Sequence, residues 1–218
     1  MRLKRCMVCV SAWALGPGPW GALRLSMARG SFLSDLRRWA GVNGGYGLEA
    51  PTHLLRALYI RDHCAIQVPG VPAAIGVSPC DPHPDVTGEW MAWWSWLIGL
   101  DVLDLALHDA PGRPAVGSKC PPRFFDLLEA NAIDVAAWTT TWRTQFREQI
   151  LPQGTAVERQ LALDPRRPRG GLLTVRVLPL QEAWLSWVDS SMLLVSQELR
   201  TDPSAYADQA TATMPINR

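Results

Sequence analysis

Two lysines, four histidines, three tyrosines and four phenylalanines are all that 218 residues supply of those types. A chain with a net charge of +1, a pI near 7.7 and so little lysine has no overall basic footprint, so no nucleic-acid partner is expected. Its five cysteines are an odd number and do not make a disulfide framework, which a chain of this length does not need for a core. Long uncharged apolar runs are missing too. The best candidate, residues 88–109, contains Asp101 and Asp104, which would sit deep in hydrocarbon, so no membrane span is expected. There is no Walker A loop, no H-E-x-x-H and no G-x-S-x-G, so the common signatures of phosphate, zinc-protease and serine-hydrolase chemistry are absent.

What is abundant is tryptophan, eleven residues, together with 18 prolines and 17 glycines. Apart from Lys4 and Lys119 every basic residue is arginine, a bias that GC-rich coding explains without reference to function. Hydrophobic residues make up 48% and charged ones 19%, the composition of a globular chain. Indole rings are costly to leave in water, so most should lie in a core or an interface. Charge is segregated: residues 1–50 hold seven basic residues against two acids, and 51–109 hold two against seven.

The first fifteen residues run from a basic start into a short apolar stretch ending at Ala12-Trp13-Ala14, which resembles a secretory signal with its cleavage site. The competing start is Met27, because nothing before it is patterned. Cleavage after Ala14 would keep Cys64, Cys80 and Cys120, an odd set that suits a reducing compartment. The cytoplasm is therefore expected, with secretion as the alternative. Residues 1–26 read as a dispensable extension, 27–210 as one α+β domain and 211–218 as a frayed tail.

Within the body, Phe32, Leu33, Leu36 and Trp39 stripe a helix over 31–42, which Asn43-Gly44-Gly45-Tyr46-Gly47 ends. A second helix is expected over 51–62 with Pro51 in its first turn. Residues 65–68 and 73–77 read as short edge strands around Pro69-Gly70-Val71-Pro72. Residues 88–109 read as a buried helix. After a Pro/Gly-rich connection at 111–122, Phe124, Phe125, Leu127 and Leu128 begin a helix. Val135, Trp138, Trp142, Phe146 and Ile150 then form the cleanest amphipathic stripe. Leu173, Val175 and Val177 alternate with Thr174 and Arg176, a half-buried strand, and 192–195 reads as its antiparallel neighbour across a loop holding Trp184 and Trp187. Asp202-Pro203 opens a last helix. The expected architecture is three to five helices on a short, mostly antiparallel sheet built from the C-terminal strands.

Four constellations bear on chemistry. Cys64, Cys80 and His83, with His63, His108 or Cys120 nearby in type, are the metal set, since thiolate and imidazole suit tetrahedral zinc; buried thiols and surface histidines are the alternative. Asp101, Asp104 and His108 share a helix face, so Asp104 could orient His108 as a general base; a solvated face is the alternative. Arg166, Arg167 and Arg169 form a basic turn able to meet phosphate or an acidic partner, and Arg37-Arg38 another. Trp90, Trp93, Trp94 and Trp96 lie on one helix as aromatic anchors for a partner, the alternative being core packing. Gly16-Pro17-Gly18-Pro19-Trp20-Gly21 matches a dinucleotide fingerprint in letters only, because its prolines remove the donors phosphate needs; Cys6-Met7-Val8-Cys9 lacks a second pair. The expected function is a non-enzymatic interaction or assembly module with a Trp-rich surface and no cofactor, holding a protein partner or a second copy of itself. The alternative is a zinc-dependent hydrolase built on Cys64, Cys80 and His83 with Asp104 and His108.

Overall fold

The computed structural model of the chain describes residues 45–80, 86–100, 120–153, 155–167 and 171–215. The extension 1–26, the helix expected over 31–42 and residues 101–119 lie outside the described residues.

Strand β2 (Leu173–Leu178) organises the molecule. It pairs in parallel with β1 (Tyr46–Glu49) on one side and with β4 (Met192–Ser196) on the other, and β3 (Leu185–Asp189) closes the order β1-β2-β4-β3 as the antiparallel partner of β4. The expected antiparallel pairing of 192–195 with 173–177 is therefore corrected to parallel. The residues around Trp187, expected as loop, are themselves a strand. The chain reverses after β2 and again at Asp189-Ser190-Ser191, and two reversals restore the direction of β2. β1 was hidden for a different reason: four residues with Gly47 among them carry little strand signal, and Gly44-Gly45-Tyr46-Gly47 reads more readily as a helix stop.

Seven α-helices surround this mixed sheet among the described residues, more than the three to five expected. They are α1 (Thr52–His63), α2 (Thr87–Ile98), α3 (Pro122–Ala130), α4 (Ala132–Gln145), α5 (Ala156–Ala162), α6 (Gln197–Arg200) and α7 (Pro203–Thr213). α4 runs on through a π turn (Phe146–Ile150), and its expected stripe holds: Val135, Trp142, Phe146 and Ile150 are buried and Trp138 is half-buried. α3 and α4 are separate because Asn131 breaks the helical path between them. Asp202 accepts from the backbone N–H groups of Ser204 and Ala205, capping α7 with Pro203 in its first turn. No helix among the described residues is long and apolar enough to cross a membrane.

Each face of the sheet carries its own core. Leu173, Val175 and Val177 of β2 join Leu193 and Val195 of β4 under Trp142, Phe146, Val157, Leu161, Leu199 and Tyr206. On the opposite face, Leu178 and Leu194 meet α1 and α2 through Leu54, Leu58, Trp90, Trp94 and Leu97.

Residues 65–77, expected as two strands, are loop apart from one isolated bridge between Ala74 and Leu180. Ala65 takes a positive φ of 51° and turns the chain sharply off α1, while Pro69 and Pro72 remove ladder donors. Side chains do the holding instead. Arg61 donates to the carbonyls of Val71 and Pro72, and Asp62 accepts from Ala74 N–H at 2.6 Å. The Trp138 and Trp184 indoles donate to Ile75 O and Gly70 O.

Candidate functional site

On α2, Trp90, Trp93, Trp94 and Leu97 fall at i, i+3, i+4 and i+7, a single helix face, and that face is packed inward. The Trp90 indole donates to Ala57 O at 2.9 Å, its ring stacks on Trp94 at 5.1 Å, and Trp93 stacks on Phe124 at 5.5 Å. The Arg61 guanidinium stands 5.7 Å from the centroid of Trp90. Trp90, Trp93 and Trp94 are thus core residues, and Trp96, half-buried, borders the surface.

What α2 presents outward is different in kind. Gly88, Met91, Ala92 and Ser95 are exposed, Met91 at 39%, with Trp96 and Ile98 half-buried beside them. One charge lies on this face, Glu89, and it is closed by Arg123 of α3, whose Nε donates to Glu89 Oε2 at 2.7 Å. Apart from Thr87 and Glu89 the helix is therefore apolar or small all round, although among the described residues the core covers one side of it only.

Of the metal candidates, Cys64, Cys80, His63 and Cys120 lie among the described residues. Cys64 is buried at the end of α1 and Cys80 is exposed, and Cys80 N–H donates to His63 O at 2.6 Å, which sets the two cysteines side by side. Burial first, and then Cys80, push the Cys64 thiol up to about 11. His63 instead stacks on Tyr59 at 5.4 Å. Cys120, half-buried, donates to Pro121 O and is pushed up to about 12 by burial. His83, Asp101, Asp104 and His108 lie outside the described residues, and among the described residues no three His, Cys, Asp or Glu side chains gather as a metal site needs.

The basic turn is not an open patch. Arg167 is buried and donates to Ser190 O and Ala162 O, while Arg166 closes on Asp164 and reaches Thr211 O; Arg169 lies outside the described residues. The Arg166 guanidinium holds the Asp164 carboxyl below the usual carboxylate range. A groove of about 280 Å³ on α4 is lined by Thr140, Arg143, Thr144 and Arg147, all from the outer face of that helix.

Three charged side chains that no pattern flagged are among the most buried in the molecule. Arg176 on β2 is fully enclosed, donates to Ile98 O and Leu100 O at the end of α2, and pairs with Glu49 across from it on β1. Glu158 and Arg200 form an enclosed ion pair at 2.7 Å. Beside them the Tyr206 hydroxyl is pushed well above its usual range by burial and then by Glu158. The only sequence cue to this pair was the Thr155-x-x-Glu158 capping box.

No family model, curated protein or solved structure matches this chain.

Proposed function

We propose that the chain is a non-enzymatic assembly module that associates with a second copy of itself through the outer face of α2. The observation that carries this is the composition of that face: Met91, Ala92, Ser95 and the edge of Trp96 lie in water with no unpaired charge among them. Around a two-fold axis every side chain near the centre meets its own copy, so a self-complementary surface must be free of like charges there. Gly88, Ala92 and Ser95 keep the helix surface low, which lets an identical helix approach closely. Twelve residues make a helix only about 18 Å long, so the contact is small and association depends on concentration. The odd cysteine count supports action in the cytoplasm.

Sedimentation velocity of the full chain over a range of concentrations tests the reading. The expected result is a monomer–dimer equilibrium that Ala92→Glu abolishes. Because Ala92 is exposed, its substitution should move stability by no more than about 0.5 kcal/mol. A wild-type chain that stays monomeric at every concentration overturns it.

A further inference from the structure

We infer that Cys64 and Cys80 form a reversible disulfide, a redox clamp that closes residues 64–80 into a covalent ring. Cys64 and Cys80 are neighbours across the loop, and the Cys80 side chain bears directly on the Cys64 thiol. The backbone bond from Cys80 N–H to His63 O holds the second cysteine against the end of the helix that carries the first. Ala65, in its left-handed conformation immediately after Cys64, directs the chain away so that it can return. The loop between is tethered along its length by Arg61, Asp62, Trp138 and Trp184. Its far side bonds to the end of β2, where Ile75 N–H donates to Pro179 O and Gln181 N–H to Ala73 O. Closure therefore fastens α1 to the sheet through a segment that hydrogen bonds and the packing of Ile66, Val71 and Ala74 hold when the thiols are reduced.

The division of exposure sets the order of events. Cys80 is open to solvent and Cys64 is 1% exposed, so a small peroxide meets Cys80 first. The Cys80 thiolate attacks one peroxide oxygen, the O–O bond breaks, and hydroxide leaves and takes up a proton as water, giving a sulfenic acid. Cys64 sulfur then attacks Cys80 sulfur; the S–S bond forms, the S–O bond breaks, and the departing hydroxide takes the Cys64 proton as a second water. The two sulfurs together lose two electrons and the peroxide gains them. A small thiol such as glutathione reverses the step by exchange, ending as its own disulfide. Cys80 is the entry point and Cys64 the resolving thiol, kept protonated until then by its enclosure.

The test is a non-reducing peptide map of the full chain after hydrogen peroxide, with and without subsequent glutathione. A peptide pair linked through Cys64 and Cys80, lost again on reduction, is the expected result. Cys80→Ser, at an exposed position, should remove the link and leave Cys64 reduced. Cys64→Ser should leave Cys80 as a sulfenic acid that dimedone captures. If Cys64→Ser does not fold, the Cys80→Ser map and the wild-type link still decide. Cys80 driven on to sulfinic acid in the wild type while Cys64 stays reduced overturns the inference, as does a link from Cys80 to any other cysteine. Thiols that react only after a chelator is added would place a metal between the sulfurs and overturn it equally.

Discussion

Arginine is the residue that this chain uses against type. Arg61, Arg176 and Arg200 are buried, and each spends its guanidinium on buried carbonyls or a carboxylate. Arg176 sits where the carbonyls of α2's last turn converge, at the negative end of that helix, with Glu49 beside it. Substituting Arg176→Met keeps most of the volume but strips Ile98 O and Leu100 O of their donor, so a loss of about 3–5 kcal/mol is expected. Arg176→Lys should recover little, since one ammonium cannot serve two carbonyls and a carboxylate in a planar fork. Urea unfolding checks both, with the midpoint falling and the slope unchanged. This residue also marks a boundary of what sequence could tell. Its place in Leu173-Thr174-Val175-Arg176-Val177 reads as the polar, outward side of a strand, and the alternation was right about β2. That the second face is covered too depends on α2, 78 residues away along the chain, and no local pattern carries that information.

At the scale of the element, the helices were more legible than the strands. α1, α4 and α7 announce themselves through a proline at the N-cap, a stripe at helical spacing and an Asp-Pro cap, all of which are local. Strand direction is not local: β4 runs parallel to β2 only because β3 intervenes, and β3 was masked by two tryptophans and an alternation too short to register. The Trp helix shows the same limit from the other side. Its rings were conspicuous in sequence, but the spacing of Trp90, Trp93, Trp94 and Leu97 was itself the sign of a buried face, and the outward surface lies at 88, 91, 92 and 95, whose residues look bland. α5 gives a clean element-scale prediction. The Thr155 hydroxyl accepts from Glu158 N–H and donates to Glu158 Oε2, while Thr155 N–H donates to that same oxygen, so Thr155→Ala removes half of a reciprocal cap. A loss of about 1 kcal/mol is expected, restored by Thr155→Ser, and thermal unfolding resolves it.

For the whole molecule, the groups whose protonation the fold disturbs most share one sign, and this sets how stability should depend on pH. The Cys64 thiol is raised from 9.0 to about 11 and that of Cys120 to about 12, and the Tyr206 hydroxyl is raised as well, each chiefly because the neutral form is the one the interior accepts. A raised folded-state pKa means that the folded chain holds a proton which the unfolded chain releases sooner. The stability it contributes is present in full below the unfolded value and is lost as pH rises through the folded one. Stability should therefore hold to about pH 8.5 and then fall, at up to about 1.4 kcal/mol per pH unit for each thiol, through pH 11 and on toward 12. Urea midpoints taken at intervals from pH 8 to pH 11 measure the slope. Cys120→Ala should lower that slope from about pH 9 through the whole interval. The peroxide-treated chain provides the decisive comparison, because a Cys64 locked to Cys80 no longer titrates: its curve should lose the Cys64 contribution between pH 9 and 11 and keep that of Cys120. Identical slopes for the reduced and oxidised chains would mean that Cys64 is not the thiol that the fold protects.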